Sequence, residues 1–555
     1  MMKFNFIAGP RWIHHFTIVF LLLMACNGKH HAEDSLKVRI FDENNHPTAA
    51  RVRVVTMDHE YLAPVGHTTD FPMTTSGDQE PVETDIILDE QRRYAYVDGE
   101  FLLNTTVDSI RVQIVKGFNY KIHDQVYFIG SQENIEIRLK KAFNDLPDEN
   151  WYSGDVHVHH INKESAILEM KAEDVNVCNL LISDFTLDHE HFSGTIEPES
   201  DSVHLLFYGQ EYREDRLGHI DLLNLTQNLI EPSATQRTHQ YPLNIDAMDE
   251  THQQGGHVSL AHFAAWPGLE GPLGIVLQKV DAVELLCTID PFHEPIFASD
   301  VVPEVRMNSG LKLWYRLLNC GFQIPITAGT DKMGNFVTVG ANRTYALLER
   351  EFTYSNWIDA LNRGKTFVSN SPFLTFTVDG QGPGETLNGQ PGKRYRIKAE
   401  VWSQMPVDRL EIVANGELIA ETVIDPGEHH KSLEVDYTAD ESVWITARSY
   451  QLAQRERRQG LSMAQRRNED GGPTELNRYY GTLRPEVTFS HTSPVYINVK
   501  NKPVRSREDA IYFARYLQNA MDWLEQEGSF PSEEARQEVL TKFEEGKKRF
   551  IELAQ

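Results

Sequence analysis

The chain has 555 residues, which is too long for one hydrophobic core and indicates three or four structural units. Its formal net charge of -28 argues against a role in binding nucleic acid, because such proteins need an excess of Lys and Arg. The surface is therefore expected to be acidic, and no nucleic-acid partner is expected.

Residues 1–25 are predicted to be a bacterial lipoprotein signal peptide. Lys3 and Arg11 precede a short apolar run, and a small residue stands before Cys26. We expect cleavage before Cys26, lipid on its thiol, and an anchor at the bacterial cell envelope outside the cytoplasm, with 26–34 as a linker. An ordinary secretory signal is the alternative. The apolar run is too short to cross a bilayer, and no later segment approaches the roughly 20 residues required.

Residues 35–145 are predicted to form a small β-sandwich. Leu36, Val38 and Ile40 alternate with polar residues, and several later runs repeat this period of two. The segment carries no obvious polar cluster, so we expect it to pack against the rest of the chain.

Residues 146–372 change to short apolar strands that alternate with helical segments such as 165–173 and 311–319. This pattern is typical of parallel strands joined by crossover helices, in a barrel or a doubly wound sheet. The length suits a somewhat small barrel, whose strand ends would meet at one mouth.

A second β-sandwich is predicted for 373–500, with an Asn415-Gly416 hairpin turn. It is interrupted at 450–480 by an Arg-rich insertion, which would be either a solvated loop or an anion-recruiting one. Residues 501–555 are predicted to be a pair of packed helices, the first capped by Ser506 and the second beginning at Ser532. The remaining cysteines, Cys178, Cys287 and Cys320, are interpreted as buried packing residues without disulfides.

The residues with clearest chemical meaning are His157 and His159. They lie two apart on a predicted strand, so their imidazoles point the same way and can form half of a transition-metal site. Other potential ligands lie at the ends of further apolar runs in this region. Glu211, His262 and Asp331 each end such a run, and His219 begins one. In a parallel barrel these side chains would meet at the mouth.

The order of these motifs resembles the PHP (polymerase and histidinol phosphatase) superfamily of metal hydrolases. Gly-Asp-x-His-x-His is followed by Gly-x-Glu, Gly-His, a Gly-Gly strand ending in His, and Gly-Thr-Asp. Within that superfamily, segments 151–159, 209–219, 314–319 and 340–345 are similar to the carbaryl-hydrolase-like CehA/McbA branch. The resemblance covers roughly 146–372. It implies an α/β chain with a distorted (β/α)7 barrel of PHP type, flanked by the two sandwiches and the helical pair, with metals at the C-terminal mouth.

The resemblance also implies a ligand set: His157, His159 and Asp331 for one metal, Glu211 as a bridge, and His219 with His262 for a second. The chain departs from the family pattern at 183–185, where Asp-His is usual, and at 331–333, where Asp-x-His is usual. Both losses fall on groups associated with a third metal, so two divalent ions are expected, of zinc, manganese or iron. Asp184 would be either a ligand or a proton carrier.

Other residues near the predicted mouth have two possible roles each. Glu284 would orient a ligand imidazole or act as a base, His257 would be catalytic or a packed core histidine, and Arg343 would hold an anionic substrate or form a structural ion pair. Lys332 is a second anion-binding candidate. Three histidines would be ligands or exposed loop residues: His160, His189 and His191. Three aromatic residues would form an apolar rim or belong to the core: Phe185, Trp266 and Phe292.

The leading hypothesis is a lipid-anchored hydrolase that cleaves a small-molecule or glycan-derived ester. Two divalent ions roughly 3.5 to 4 Å apart lower the pKa of a bridging water, so that hydroxide can attack without a side-chain nucleophile. The superfamily favours a phosphoester, while the branch leaves a carbamate or carboxyl ester open. The alternative is a non-catalytic surface lipoprotein that binds glycan or a protein partner through its sandwiches. The sequence does not determine the oligomeric state.

Overall fold

The computed structural model describes residues 35–67, 85–88, 92–130, 133–183, 192–229, 239–287, 291–292, 295, 301–302, 309–335, 337–452 and 487–555. Several predictions lie outside these ranges: the leader with Cys26, Asp184 with Phe185, His189 and His191, and the arginines of the 450–480 insertion. Over the described residues the chain has the mixed α/β architecture that the sequence predicts.

Where the structure describes it, the N-terminal part forms eight strands: β1 (Ser35–Phe41), β2 (Ala49–Thr56), β3 (Asp85–Leu88), β4 (Arg92–Asp98), β5 (Glu100–Asn104), β6 (Ser109–Val115), β7 (His123–Phe128) and β8 (Asn134–Arg138). They form a three-stranded sheet, β5-β1-β8, and a five-stranded sheet, β3-β4-β2-β6-β7. Alternate residues of both sheets, including Val38, Val52 and Ile114, are buried in one hydrophobic cluster. Side chains on a strand point to opposite faces in turn, which explains the period of two in this segment.

The described residues of the central part form nine strands and five helices: β9 (Trp151–Val158), α1 (Lys163–Glu173), β10 (Val177–Ile182), β11 (Leu205–Glu214), β12 (Gly218–Leu223), α2 (Asn244–Gln253), β13 (His257–Leu260), α3 (Gly271–Val276), β14 (Ala282–Leu286), α4 (Gly310–Asn319), β15 (Ile326–Ala328), β16 (Arg343–Leu347), α5 (Tyr354–Asn362) and β17 (Thr366–Ser369). The two predicted helical segments correspond to α1 and α4. Each begins at a side-chain cap, in which Asn162 accepts a hydrogen bond from Ser165 N and Ser309 accepts one from Lys312 N.

The central strands are hydrogen-bonded in the order β15-β14-β13-β12-β11-β10-β9-β16-β17. Strands β9 to β11 are parallel, and so are β13 to β15. The predicted parallel arrangement fails at β12, which is antiparallel to both neighbours because only the short turn 215–217 joins it to β11. It also fails at β16, which is antiparallel to β9 and to β17. The far end of the sheet path returns toward its middle, since Ala328 N of β15 donates to Thr344 Oγ1 of β16 at 2.7 Å.

The N-terminal sheets are joined to the central part by buried charges. Arg51 of β2 donates to Glu173 Oε1 of α1 at 2.6 Å, and Tyr96 of β4 donates to the same oxygen at 3.0 Å. All three side chains are buried. This polar contact was not predicted, because its members are far apart in the sequence.

The C-terminal part contains β18 (Phe373–Val378), β19 (Thr386–Gly389), β20 (Lys393–Trp402), β21 (Arg409–Ala414), β22 (Glu417–Val423), β23 (His430–Ala439), β24 (Val443–Tyr450), β25 (Phe489–Thr492) and β26 (Val495–Val499). A three-stranded sheet, β18-β20-β23, shares a hydrophobic cluster with residues of β21, β24 and β26. Because β17 pairs with β25, the central sheet continues into this part, and the predicted boundary at 372 is not a break in hydrogen bonding.

Two helices end the chain, α6 (Arg507–Gln526) and α7 (Glu533–Leu553), as the sequence predicts. Ser506 and Ser532 are their N-caps. Phe513 and Phe550 stack between the helices, and Tyr516 of α6 donates to Gly268 O in the central part at 2.6 Å. Neither these nor any other helix of the described ranges is long and apolar enough to cross a membrane.

Candidate metal centre

Six predicted ligands converge at one edge of the central sheet. His157 lies in β9 and His159 directly follows that strand, while Glu211 lies in β11 and His219 in β12. His262 and Asp331 come shortly after β13 and β15. Asp331 is partly exposed, and the other five side chains are buried. The edge is formed by the carboxyl ends of the parallel strands and the beginning of β12, where the predicted mouth was placed.

The first group of ligand atoms is formed by His157, His159 and Glu211. His157 Nε2 and His159 Nε2 are 3.0 Å apart, and Glu211 Oε2 lies 3.3 Å from His159 Nε2. Asp331 Oδ1 lies 3.6 Å from His157 Nε2 and 4.0 Å from His159 Nε2. These four side chains therefore surround one volume.

The second group is formed by Glu211, His219 and His262. His219 Nδ1 lies 2.9 Å from Glu211 Oε1 and 3.2 Å from His262 Nε2. Glu211 and His219 are close because β11 and β12 form a hairpin, in which Arg213 is opposite His219 and Glu211 is opposite Asp221. Glu211 therefore belongs to both groups.

The donor atoms fit divalent metal ions. A tetrahedral ion with bonds of about 2.0 to 2.1 Å to imidazole separates two nitrogens by about 3.3 to 3.4 Å, close to the spacing in both histidine pairs. Imidazole and carboxylate together suit zinc, manganese or iron. The clusters can thus hold metal ions, and they include five of the six residues predicted as ligands. The sixth, Asp331, lies beside the first group, 3.6 Å from His157 Nε2.

The loop that carries Asp331 is fixed by Asp155. Its carboxylate accepts hydrogen bonds from Thr330 N at 2.9 Å, Thr330 Oγ1 at 2.7 Å and Gly340 N at 2.7 Å. Burial raises the pKa of Asp155 to about 6, and these hydrogen bonds oppose that shift by favouring the carboxylate. Gly329 is also required here, because a Cβ on it would lie 2.5 Å from His157 Cβ and from Glu284 Oε1.

Several residues at this edge have left-handed backbone conformations: φ is 51° at His160, 35° at His262 and 46° at Asp331. Residues other than glycine are seldom found in this region of backbone conformation. Backbone strain of this kind concentrates at functional sites. The surrounding fold therefore holds His262 and Asp331 in a conformation that is uncommon for residues other than glycine, although Asp and His adopt it more often than most.

The electrostatics of the centre are dominated by carboxylates facing imidazoles. Burial alone would raise the pKa of Glu211, but Arg213 and His219 hold it well below its usual value. Burial acts to lower the pKa of His157, yet Asp221, Glu284 and Asp331 raise it well above the usual range. The cluster thus attracts positive charge strongly.

The rear of His157 faces two further carboxylates. Its Nδ1 lies 3.2 Å from Glu284 Oε2 and 3.5 Å from Asp221 Oδ1. Glu284 also accepts a hydrogen bond from His262 N. Of the two roles open to Glu284, this geometry fits orientation of a ligand imidazole.

Cys287, with His157 and Glu284, forms a third group of potential ligands. Like Cys178 and Cys320 it is buried and free of disulfides, as predicted.

Arg213 and Trp266 lie beside the ligands. Arg213 Nε is 3.5 Å from Glu211 Oε2, and 22% of its side chain is exposed. The ring of Trp266 lies 4.7 Å from that of His219 and 5.9 Å from that of His262. Of the two roles left open for Trp266, an apolar rim or the core, this position fits the rim.

Four other candidates make structural contacts. For His257, Arg343 and Phe292, a structural role was one of the two that the sequence left open. His257 stands at the opposite end of β13 from His262, and its Nδ1 bonds to Asn362 Oδ1. Arg343 is buried and donates to backbone carbonyls of Gly340, Glu173 and Asp174. Lys332 is buried and bonds to Glu169 and two backbone carbonyls. Phe292 packs on Tyr450 and Phe489.

His160 stays near the centre, with its ring 6.3 Å from that of His159. Burial and the neighbouring His159 lower its pKa to about 4, so it is a neutral imidazole at physiological pH.

The sequence reasoning missed Asp155, Arg213 and Asp221. Asp155 precedes His157 by two residues, Arg213 follows Glu211 by two, and Asp221 follows His219 by two. Alternation along the strands places each on the same face as a predicted ligand, so this signal was available.

Comparison with known proteins identifies no family for this chain. No family model matches it. No curated protein matches it.

Two solved structures are distantly similar to parts of it. One is PsfC from Pseudomonas syringae PB-5123, with 16% identity and a TM-score of 0.27 over 38% of this chain and 88% of that one. The other is the CARDB domain of the PF1109 protein from Pyrococcus furiosus, in complex with di-metal ions, with 15% identity and a TM-score of 0.13 over 23% of this chain and 94% of that one.

Proposed function

We propose that this chain is a metal-dependent hydrolase of ester bonds. In this proposal it lies outside the cytoplasm and is attached to a membrane of the bacterial cell envelope by a lipid on Cys26. In this proposal the strands β9 to β17 are the wall of a distorted (β/α)7 barrel of the PHP superfamily, in its carbaryl-hydrolase-like branch. The order of strands and the return of β15 toward β16 support that interpretation.

The observation that carries the proposal is the position of Glu211. One carboxylate belongs to two groups of ligand atoms, one with His157 and His159 and one with His219 and His262. A carboxylate shared in this way is suited to bridge two cations, and paired cations are a recurrent arrangement in hydrolases of esters. We therefore propose two divalent ions per chain.

The residues of the centre have separate roles. The four imidazoles and Asp331 would hold the ions, and Asp155 fixes the loop that presents Asp331. Bound ions would lower the pKa of a water molecule and polarise the scissile group. Burial of Glu211 and the imidazoles keeps bulk water away from their ligand atoms, which strengthens every charge interaction there.

The chemistry of the rim favours an ester that carries negative charge. Arg213 places a cation beside Glu211. Its guanidinium can donate two parallel hydrogen bonds to two oxygens of a phosphate or carboxylate group. Trp266 offers an apolar face next to the second group for the leaving group. We therefore place a phosphoester ahead of a carbamate or a neutral carboxyl ester.

The proposal is tested with purified protein that lacks residues 1–25, loaded with Zn²⁺ or Mn²⁺. It is offered 1-naphthyl phosphate, bis(4-nitrophenyl) phosphate, 1-naphthyl acetate and 1-naphthyl N-methylcarbamate. Metal-dependent hydrolysis of at least one ester is expected, with His159→Ala inactive. Hydrolysis that persists in His159→Ala or after removal of metal would refute the assignment.

A second candidate is binding of a glycan or protein through the flanking sheets. Its support is the edge strand β7, where Val126 and Phe128 are exposed. A protein that is inert toward all four esters, binds no metal and is captured by polysaccharide would favour this alternative.

A further inference from the structure

We propose that Asp221 is a positioning residue, whose carboxylate behind His157 increases the affinity of the centre for cations while destabilising the metal-free fold. The inference rests on the metal centre of the proposed function and not on ester hydrolysis. It concerns the side of His157 that faces away from the other ligands.

The two nitrogens of His157 have different surroundings. Nε2 faces His159 at 3.0 Å and Asp331 at 3.6 Å, within the first ligand group. Nδ1 faces Glu284 at 3.2 Å and Asp221 at 3.5 Å. The ring is fully buried, and the two distances leave no room for a water molecule between it and either carboxylate.

Asp221 has an unusual position for a carboxylate. Its side chain is fully buried, and neither oxygen has a hydrogen-bond partner among the described residues. Glu284 shares the same space, and its Oε1 also lacks a hydrogen-bond partner there. Two buried carboxylates with incomplete partners are costly to a fold, because they lose water without gaining donors.

One imidazole N–H can donate to only one of these carboxylates at full strength. Glu284, at the shorter distance, is sufficient to orient the ring. The second carboxylate therefore adds negative charge rather than orientation. The negative charge of Asp221 becomes favourable only when a cation binds nearby. The ligand atoms of the first group, on the other side of the same ring, are the place where a cation would bind.

The inference gives two effects of opposite sign for Asp221→Asn, which keeps the volume and removes the charge. Affinity for Zn²⁺ and Mn²⁺ is expected to fall roughly 10- to 100-fold, the usual range for a group behind a ligand histidine. The metal-free protein is expected to melt at the same or a higher temperature. A carboxylate with a purely structural role would give a lower melting temperature and unchanged metal affinity.

Asp281→Asn is the matched control. Asp281 precedes β14, and its carboxylate accepts from Val258 N at 2.8 Å and bonds to His252 Nε2 at 2.8 Å. It has partners and does not face the ligands, so its loss is expected to lower the melting temperature and leave metal affinity unchanged.

The experiment is a competition titration of metal-free protein with Zn²⁺ and Mn²⁺ against a chromophoric chelator, together with thermal melting of the same samples. If Asp221→Asn does not fold, Asp221→Ser is titrated in the same way. Wild-type protein that binds no metal would refute the proposed function. Wild-type protein that binds metal, with Asp221→Asn or Asp221→Ser equal to it in affinity, would overturn this inference alone.

Discussion

The metal centre and the junction of β25 with α4 both bury histidines, but they surround them differently. At the centre, four imidazoles face one another and four carboxylates: Glu211, Asp221, Glu284 and Asp331. At the junction, His491 accepts a hydrogen bond from Tyr315 at 2.6 Å and donates to Thr492 O at 2.8 Å. Burial alone therefore does not distinguish a ligand histidine from a structural one. The distinguishing feature is whether the ring nitrogens face carboxylates or neutral partners.

The largest expected effect is that of His157→Ala. Removal of this imidazole opens the first ligand group and leaves Asp221 and Glu284 without the ring that both of them face. We expect loss of metal and a fall in kcat/KM on the order of 10³-fold or more, since metal stabilisation contributes several kcal/mol. Elemental analysis and ester hydrolysis measure both. A variant that keeps full occupancy and turnover would contradict the account.

Arg213→Met tests the preference for charged esters. Hydrogen bonds between charged groups contribute about 1.5 to 3 kcal/mol, so we expect KM for 1-naphthyl phosphate to rise roughly 10- to 100-fold. The change in kcat/KM for the neutral acetate should be much smaller. Arg216→Met is the control, because Arg216 follows in the same hairpin, carries the same charge and lies over Trp523 instead. Equal losses on both esters would remove Arg213 from substrate binding.

His491→Ala is expected to affect stability and not metal content. It leaves the buried Tyr315 hydroxyl without an acceptor, at about 1 to 3 kcal/mol in the free energy of unfolding. Chemical denaturation measures the loss. A change in the metal occupancy of His491→Ala would contradict the assignment of His491 to a purely structural role.

The same histidine predicts a pH dependence. Burial and Arg448 lower the pKa of His491 to about 3, against an ordinary value near 6.5. Between about pH 6.5 and 3, His491 is protonated in the unfolded chain but stays neutral in the folded chain. The free energy of unfolding therefore falls as the pH drops from about 6.5 toward 3. This contribution should be absent in His491→Ala, whose stability should therefore decline less steeply with acid. Parallel slopes would show that His491 does not titrate in this way.

The smallest effect is expected for His257→Asn. His257 bonds to Asn362 away from the ligands, so metal content and kcat should stay at wild-type values. The free energy of unfolding should fall by about 0.5 to 1.5 kcal/mol. A large loss of kcat would return His257 to the catalytic residues.

Much of the centre was predictable because strands alternate. The spacing of His157 and His159 fixes their common direction, and strand ends explain how Glu211, His262 and Asp331 meet them. The same rule would have indicated Asp221. The β12 reversal was not predicted, although the short 215–217 turn signals it.

Other assignments depended on contacts that only tertiary structure determines. Arg343 was a candidate for substrate binding because it carries a fixed charge, but its guanidinium donates to Glu173 O and Asp174 O at the end of α1. Lys332 follows Asp331 directly, yet its ammonium turns toward Glu169. A charged residue in the sequence is only a candidate for substrate binding, and the positions of its hydrogen-bond partners in the fold determine its role.

The most direct measurement is the metal-to-protein ratio of freshly purified wild-type protein and of Glu211→Gln. Because Glu211 belongs to both ligand groups, the account predicts about two transition-metal ions per wild-type chain and loss of at least one in the variant. Wild-type protein without metal, or a Glu211→Gln protein that keeps both ions, would contradict it.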